Sequence, residues 1–359
     1  MKPLAILVDS FADEGLTNAQ MINAREIVSR LDPDRFSVTM FMVESPDLQL
    51  TKRPNTRLIQ LPRRLQTIPL LSQFVFGRHE ILFYLKASPA SWWYMKLRRL
   101  GQKRCVTVGT VESQTDWRDE TITAPTIRLL EDTVLRCDYL FSNSELVKRS
   151  LAANYARESE VVATGVDTDF FTPDEDGPAN RRPRILFVGA LRRFKAPHAI
   201  LDAAQRFPDA DFVMVGDGPM AQELHTRANG LPNVIMRGTL GRAEIRQEYR
   251  SADIFLFLSR WEGSPRVLME AAASGLPVIA RKDYEPESVI DGKTGFLVAD
   301  DEEANDRLAR LTASADLRRA FGQSARLHMN RFSWDVVTRQ WEAIFCNLAS
   351  ESRRKKARS

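Results

Sequence analysis

Between residues 185 and 280 five short apolar runs recur, Ile185 to Val188, Phe212 to Val215, Val234 to Met236, Ile254 to Leu258 and Pro277 to Ala280, each divided from the next by a stretch of helical length. Few architectures accommodate that rhythm. Strands that alternate with helices pair in parallel, and the helices cover both faces of the sheet. The first half repeats the pattern. Ala5 to Val8 reads as a strand, and Thr17 with Gln20 forms a capping box that opens a helix whose Met21, Ala24, Val28 and Leu31 share one face. Strands follow at Phe36 to Val43, Ile81 to Leu85, Cys105 to Val111 and Tyr139 to Phe141, with a helix from Pro89 to Leu100. A second capping box, Ser142 with Glu145, precedes a helix through Ala153. Polar Asp174 to Pro183, with one Gly and two Pro, reads as the interdomain linker. The expected fold is α/β: two Rossmann-like, doubly wound parallel-sheet domains, 1–173 and 184–333, facing a cleft, with ligands at the carboxyl ends of the strands.

A chain of 359 residues with 43% hydrophobic content is long enough for two ordinary domains. Its apolar runs fall far short of the roughly 20 residues that span a bilayer. The opening Pro3 to Asp9 is too short for a signal-peptide core and reads as a buried strand. Cys105, Cys137 and Cys346 are widely spaced and form no ligand cluster with the four histidines. Reduced thiols, a cytoplasmic setting and no structural metal are expected.

The net charge of +4 is unevenly spread. Between Thr51 and Arg104 stand twelve Lys or Arg against one acid, Glu80, interleaved with Phe74, Phe76, Phe83, Tyr84, Trp92, Trp93 and Tyr94. Cations mixed with Trp and Phe suit a protein that rests on anionic lipid head groups. A solvated basic face over buried aromatics is the plainer reading. Nucleic acid is the weakest of the three, because no nucleic-acid motif accompanies the charge. The chain closes on Arg353 to Arg358, a basic tail (351–359) expected to be disordered. A dinucleotide dehydrogenase would need Gly-x-Gly-x-x-Gly after the first strand, where Asp9 to Thr17 holds one glycine, Gly15.

Glu262 and Glu270, with seven residues between them, follow the Ile254 to Leu258 run. Ser264 and Pro265 read as N-cap and N1 of a helix that stops at Gly275. One carboxylate then lies in a loop and the other on a helix whose free amides and dipole suit a diphosphate. At helical spacing Glu270 shares a face with Arg266 and Val267, so a carboxylate for a sugar diol stands beside amides for phosphate. A nucleotide sugar fits this arrangement. A Glu pair at this spacing also arises by chance, and a helical Glu is usually only solvated.

Further marks accompany the pair in order: Phe187-Val188-Gly189 with Lys195, Val215-Gly216-Asp217-Gly218-Pro219, Arg237-Gly238, then Glu262 to Glu270, then Asp291 to Val298. The ordered set resembles family 4 of the glycosyltransferases, of GT-B architecture. Gly165 to Pro173 resembles that family's domain-crossing segment, and Arg331 to Trp334 resembles the start of its last helix, implying that 334–350 joins the first domain. The resemblance implies a retaining transfer of a sugar from a nucleotide diphosphate to an acceptor, with no cofactor or essential metal. It implies Lys195 as phosphate cation, with Arg193, or as second choice Arg192, standing in where the family's Arg is here Ala190. Glu270 would take the ribose hydroxyls, and Glu262 would lie near the donor sugar. Gly189, Gly216, Asp217, Gly218, Pro219, Gly238 and Leu240 would line the nucleotide, and Ser264, Pro265, Arg266 and Val267 the diphosphate. Gly15 stands where the family has paired glycines. Glu112 stands at the family's His, as a base toward the acceptor or as a hydrogen-bonded structural residue. The expected acceptor is a lipid-linked saccharide of envelope, lipopolysaccharide or exopolysaccharide synthesis at the inner membrane face. An epimerase, a sugar phosphorylase or a noncatalytic nucleotide-sugar-binding protein of the same fold is the alternative.

Overall fold

The computed structural model describes every residue except 1, 14–17, 101–104, 117–121, 175–179 and 359; for 99–100 and 355–358 it describes the backbone alone. The chain forms two compact units, 2–164 with the returning 334–358, and Gly165–Ser333.

The first unit alternates β1 (Leu4–Phe11), α1 (Ala19–Arg30), β2 (Phe36–Met42), α2 (Leu48–Lys52), β3 (Thr56–Gln60), α3 (Thr67–Phe76), β4 (Ile81–Phe83), α4 (Pro89–Leu100), β5 (Val106–Val111), α5 (Ala124–Asp132), β6 (Tyr139–Ser142), α6 (Glu145–Tyr155) and β7 (Glu160–Val161). All seven strands are parallel, in the order β3-β2-β1-β4-β5-β6-β7, with Ile6 opposite Val38 on one side and Ile81 on the other. The winding reverses between β1 and β4.

The second unit runs β8 (Arg184–Val188), α7 (Pro197–Arg206), β9 (Asp211–Val215), α8 (Ala221–Ala228), β10 (Val234–Gly238), α9 (Arg242–Ser251), β11 (Ile254–Phe257), α10 (Arg266–Ala273), β12 (Val278–Arg281), β13 (Gly295–Val298), α11 (Asp301–Ala313) and α12 (Ala315–Met329). Its six parallel strands lie in the order β10-β9-β8-β11-β12-β13 and reverse between β8 and β11. A reversal of this kind splays the loops that leave the two strands and opens a crevice at their carboxyl ends, where doubly wound sheets bind ligands. The last helix, α13 (Trp334–Arg358), completes the first unit. Its Trp341 packs on Phe83 and Phe141 with centroids 4.8 and 4.9 Å apart, and Phe345 on Phe83 at 4.9 Å.

Four expectations need correction. The division between units falls at Thr164/Gly165, not at residues 174–183. Gly165 to Pro173 is fastened to the second unit: the Val166 amide donates to the Phe332 carbonyl, Arg242 pairs with Asp167, and Phe171 packs edge-on against Tyr249. Ser142 is strand, its hydroxyl bonded to Ser159, and the cap of α6 is Ser144, whose hydroxyl accepts from the Val147 amide. The basic tail is helical through Arg358, and Arg353 forms a bidentate pair with Glu80. At α1 the cap is Asn18, accepting from the amides of Gln20 and Met21; Thr17, the expected cap, lies outside the described residues.

Candidate active site

Two loops leave the reversal point of the second sheet. The one after β8 carries Gly189 to Ala196, in which Arg193–Lys195 turns once as a 3-10 helix. The one after β11 carries Leu258 to Pro265. They are tied together, because the Phe194 carbonyl accepts from the Arg260 amide at 2.8 Å and from the Ser259 hydroxyl at 3.3 Å, while Phe194 packs edge-on against Trp261. The tie places Lys195 against Glu262: Nζ lies 2.5 Å from Oε1, with the side chains 18% and 11% exposed. The ammonium also lies over the rings of Phe194 and Phe257, each at 5.3 Å, so apolar groups share its surroundings with the carboxylate. A charge held so dry interacts strongly with any ion that approaches it.

Helix α10 begins at Arg266 after Pro265, which occupies the cap position in extended conformation; no side chain caps the helix. Ser264 and Pro265 therefore do not act as N-cap and N1. Proline has no amide to begin the helix with, and the amides of Arg266 and Val267 are left without a side-chain acceptor, as an anion site requires. Four residues on, Glu270 Oε1 lies 3.4 Å from Arg266 Nη2. Its other oxygen accepts from Tyr249, whose hydroxyl lies 3.2 Å from Oε2 and 3.3 Å from the Val267 carbonyl. Burial first, then the adjacent Glu270, pushes the Tyr249 phenol well above its ordinary range, so it remains a donor. At the far end the α10 unit closes on Gly275, whose φ of +78° is the left-handed cap that was expected.

Beside this cluster the loop after β9 presses against the loop after β8. The Leu191 amide donates to the Asp217 carbonyl at 2.9 Å and the Met220 amide to the Leu191 carbonyl at 3.1 Å. Gly216, at φ +136°, has no room for a side chain: a Cβ there would stand 1.9 Å from the Gly189 carbonyl oxygen. Its amide donates to the Gly238 carbonyl, which fastens the loop after β10 as a third layer carrying half-buried Leu240. Gly216 and Gly218 are thus required by loop-on-loop packing, since a Cβ on Gly218 would stand 2.7 Å from the Leu191 carbonyl oxygen, and exposed Asp217 accepts from the Gly218 amide at 2.7 Å. Arg237 serves the scaffold, since it and Arg184 share buried Glu248 at 2.9 and 2.7 Å.

The structure therefore brings Lys195, Glu262, Arg266, Val267 and Glu270 to the strand ends on either side of the reversal. Arg193 is exposed, and its side chain makes no hydrogen bond or ion pair among the described residues. Gly15 lies outside the described residues. Glu112, in the first unit, follows β5 and is held by its neighbours: Tyr84 donates to Oε1, and the Asn23 amide to Oε2 at 3.0 Å. The three border a cavity of about 20 Å³, the space of a single water, between α1, β5, β6 and α13. Tyr249 was not legible as a site residue, because its contact with Glu270 spans two elements and twenty-one positions and no local spacing signals it.

These two units, each a doubly wound parallel sheet, define a GT-B α/β protein with a charged site at the strand ends of its second unit. Residues 170–328, nearly the whole of the second unit, match the family described as glycosyl transferases group 1. The chain is similar to the sulfoquinovosyl transferase SQD2 of Arabidopsis thaliana, 30% identical over 202 residues, 52% of this chain and 39% of that one. It spans about two-fifths of that relative's length. Similarity to the GDP-mannose-dependent alpha-(1-6)-phosphatidylinositol monomannoside mannosyltransferase of Mycolicibacterium smegmatis extends further, with 26% identity over 328 residues, 84% of this chain and 83% of the relative. Among solved structures, a sucrose-phosphate synthase from Thermosynechococcus elongatus superposes with a TM-score of 0.80 over 97% of this chain and 100% of its own, at 19% identity; that likeness concerns the fold.

Proposed function

We propose that the protein is a retaining glycosyltransferase that moves a sugar from a nucleotide-diphosphate donor to a lipid-linked saccharide, in the synthesis of a cell-envelope polymer or lipopolysaccharide at the cytoplasmic face of the membrane. The observation that carries the reading is the cluster of Lys195, Glu262, Arg266 and Glu270 around the uncapped first turn of α10, within the segment that matches the glycosyltransferase family. In this reading the leaving diphosphate takes Lys195 from Glu262 and lies on the amides of Arg266 and Val267. Charge that builds on the phosphate is then met by a cation and dipoles already in place, and no metal is required. Glu270 accepts the two ribose hydroxyls. Glu262, relieved of its lysine, faces the donor sugar.

A lipid acceptor is supported by the surface of the first unit. Leu65, Ile68 and Phe76, on and beside α3, are 88%, 78% and 74% exposed, and Trp93 and Leu97 on α4 are 50% and 43% exposed. Exposed Arg63, Arg64, Arg78 and Lys96 surround them, whereas Arg53 and Lys86 point inward and Arg98 is paired with Asp138. Arg63 also reaches Glu44 at 3.1 Å and Lys96 lies over the Trp92 ring, yet all four cations are exposed, and apolar tips set among exposed cations suit an anionic bilayer surface. No helix among the described residues is long and apolar enough to cross a membrane. The mannosyltransferase relative is named for a phosphatidylinositol acceptor, which agrees with a lipid.

The test is release of nucleoside diphosphate from UDP-, GDP-, ADP-, CDP- and dTDP-sugars in the presence of a membrane-lipid extract. Release that needs both extract and Glu270, with labelled sugar entering lipid, supports transfer; donor binding without turnover under every acceptor tried counts for a sensor. For the membrane part, flotation with phosphatidylglycerol vesicles is expected to be lost in Ile68→Asp/Phe76→Asp, and absence of wild-type binding at low salt overturns it.

A further inference from the structure

We infer that Tyr249 is a positioning residue for the nucleotide, fixing the Glu270 carboxylate for the ribose and the first turn of α10 for the diphosphate through one buried hydroxyl. The inference rests on the donor-site reading above and adds to it a residue that no local motif indicates. Tyr249 comes from α9 and is fully buried. Its ring is clamped edge-on by Phe171 and tilted against Phe255, both with centroids 5.7 Å away, so the hydroxyl has a fixed location. That hydroxyl stands between two acceptors belonging to α10, the Val267 carbonyl at 3.3 Å and Glu270 Oε2 at 3.2 Å.

The consequence for binding is geometric. A carboxylate receives a vicinal diol in bidentate fashion only if its plane is set, and an unrestrained Glu rotates about three bonds. Here Arg266 holds Oε1 and Tyr249 holds Oε2 from opposite partners, and each oxygen keeps a further lone pair for a ribose hydroxyl. The phenol cannot compete as a charge, because burial and Glu270 keep it protonated. The bond to Val267 acts on the other half of the ligand, since residue 267 supplies one of the first-turn amides. One group therefore sets the distance between the ribose acceptor and the phosphate donors, a role that a structural tyrosine would not have. Preorganisation of this kind is expressed in affinity for the intact ligand and not in the fold.

The test compares UDP and GDP with their 2′,3′-dideoxy counterparts by calorimetric titration of the full chain. Wild type is expected to favour the ribonucleotide by tenfold or more, and Glu270→Ala to remove the preference. Tyr249→Phe keeps the ring contacts, and is expected to reduce the preference at least threefold, weakening the ribonucleotide strongly and the dideoxy ligand, whose diphosphate still meets the first turn of α10, to a smaller extent. A ratio of two affinities measured on one preparation is insensitive to a loss of folded fraction, so the comparison survives a destabilised variant. If Y249F keeps the full wild-type ratio while E270A loses it, the role of Tyr249 is refuted and the donor-site reading stands. If wild type itself does not discriminate, the ribose role of Glu270 fails and this inference falls with it.

Discussion

Replacing Lys195 by Met tests the site at its most charged point. The lysine is paired with Glu262 in surroundings where the two side chains retain 18% and 11% of their exposure. Removing one member of a fully buried pair costs roughly 3–5 kcal/mol because a charge is stranded; the residual exposure here brings the expected loss of stability to about 2 kcal/mol. Ligand affinity suffers twice. A charge-assisted hydrogen bond to phosphate is lost, worth about 1.5–3 kcal/mol, and the unpaired Glu262 now repels the diphosphate. Together these give about 3 kcal/mol, on the order of a hundredfold in Kd. Glu262→Gln removes the repulsion, so the double variant K195M/E262Q is expected to bind nucleoside diphosphate about tenfold better than K195M alone, which with a Glu262→Gln single variant near wild-type affinity is a coupling of about 1.4 kcal/mol. Calorimetric titration with UDP and GDP, and thermal melts, would be run on the four proteins of the cycle. Additive effects, or a K195M affinity within threefold of wild type, would refute the placement of the diphosphate against this lysine.

Other perturbations address the scaffold. Trp341→Ala empties the contact of α13 with Phe83 and Phe141, and is expected to lower stability by about 3–5 kcal/mol in urea unfolding without altering nucleotide affinity. Glu112→Gln weakens the bonds from Tyr84 and Asn23; a loss of about 1–2 kcal/mol is expected with kcat reduced less than threefold, whereas a large fall in kcat would make Glu112 a base toward the acceptor. Burial pulls the His79 imidazole down to about 4. Its unfolded value lies above that, near 6.5, so the unfolded chain takes up the proton first. Stability is whole above about pH 6.5 and falls toward pH 4 by at most about 1.4 kcal/mol per unit. His79→Gln is expected to flatten that slope, as read from urea midpoints at pH 7 and pH 5; an identical slope counts against it.

The second unit was far more legible than the first. Its strands are compact apolar runs such as Ile254 to Phe257, and its ligand-side residues lie in loops that follow them directly. The first unit hides elements of mixed character. Thr56–Gln60 is a polar edge strand, Glu160–Val161 is two residues long, and Thr67–Phe76 is apolar nearly all round with Pro69 inside it, so neither period stands out. Ser142 and Ser144 both offer a cap before α6; strand pairing of Ser142 with Val111 and Val161 decides between them, and that pairing is a tertiary fact. The same holds at the site. Glu262, Lys195 and Glu270 could be named from the chain, but their partners could not: the Lys195 to Glu262 pair spans sixty-seven positions and the Tyr249 to Glu270 contact twenty-one. The basic stretch misled in part for the same reason, because composition does not distinguish Arg53, buried on the carbonyls of Leu31 and Phe36, from exposed Arg63.

The return of α13 to the first unit sets an order on synthesis. A ribosome that has released residues 2–164 has delivered every strand of the first sheet, yet Phe36, Phe83 and Phe141 still lack Trp341 and Phe345, which close their cluster. The second unit, continuous from Gly165 to Ser333, can finish while the earlier part of the chain waits. Domains generally fold N-terminal first during translation; here the first unit to begin is the last to be completed. Nascent chains of this protein thus carry an unfinished apolar surface until Trp334 to Ala349 emerge, and a stop codon ahead of Trp341 leaves that surface open for good.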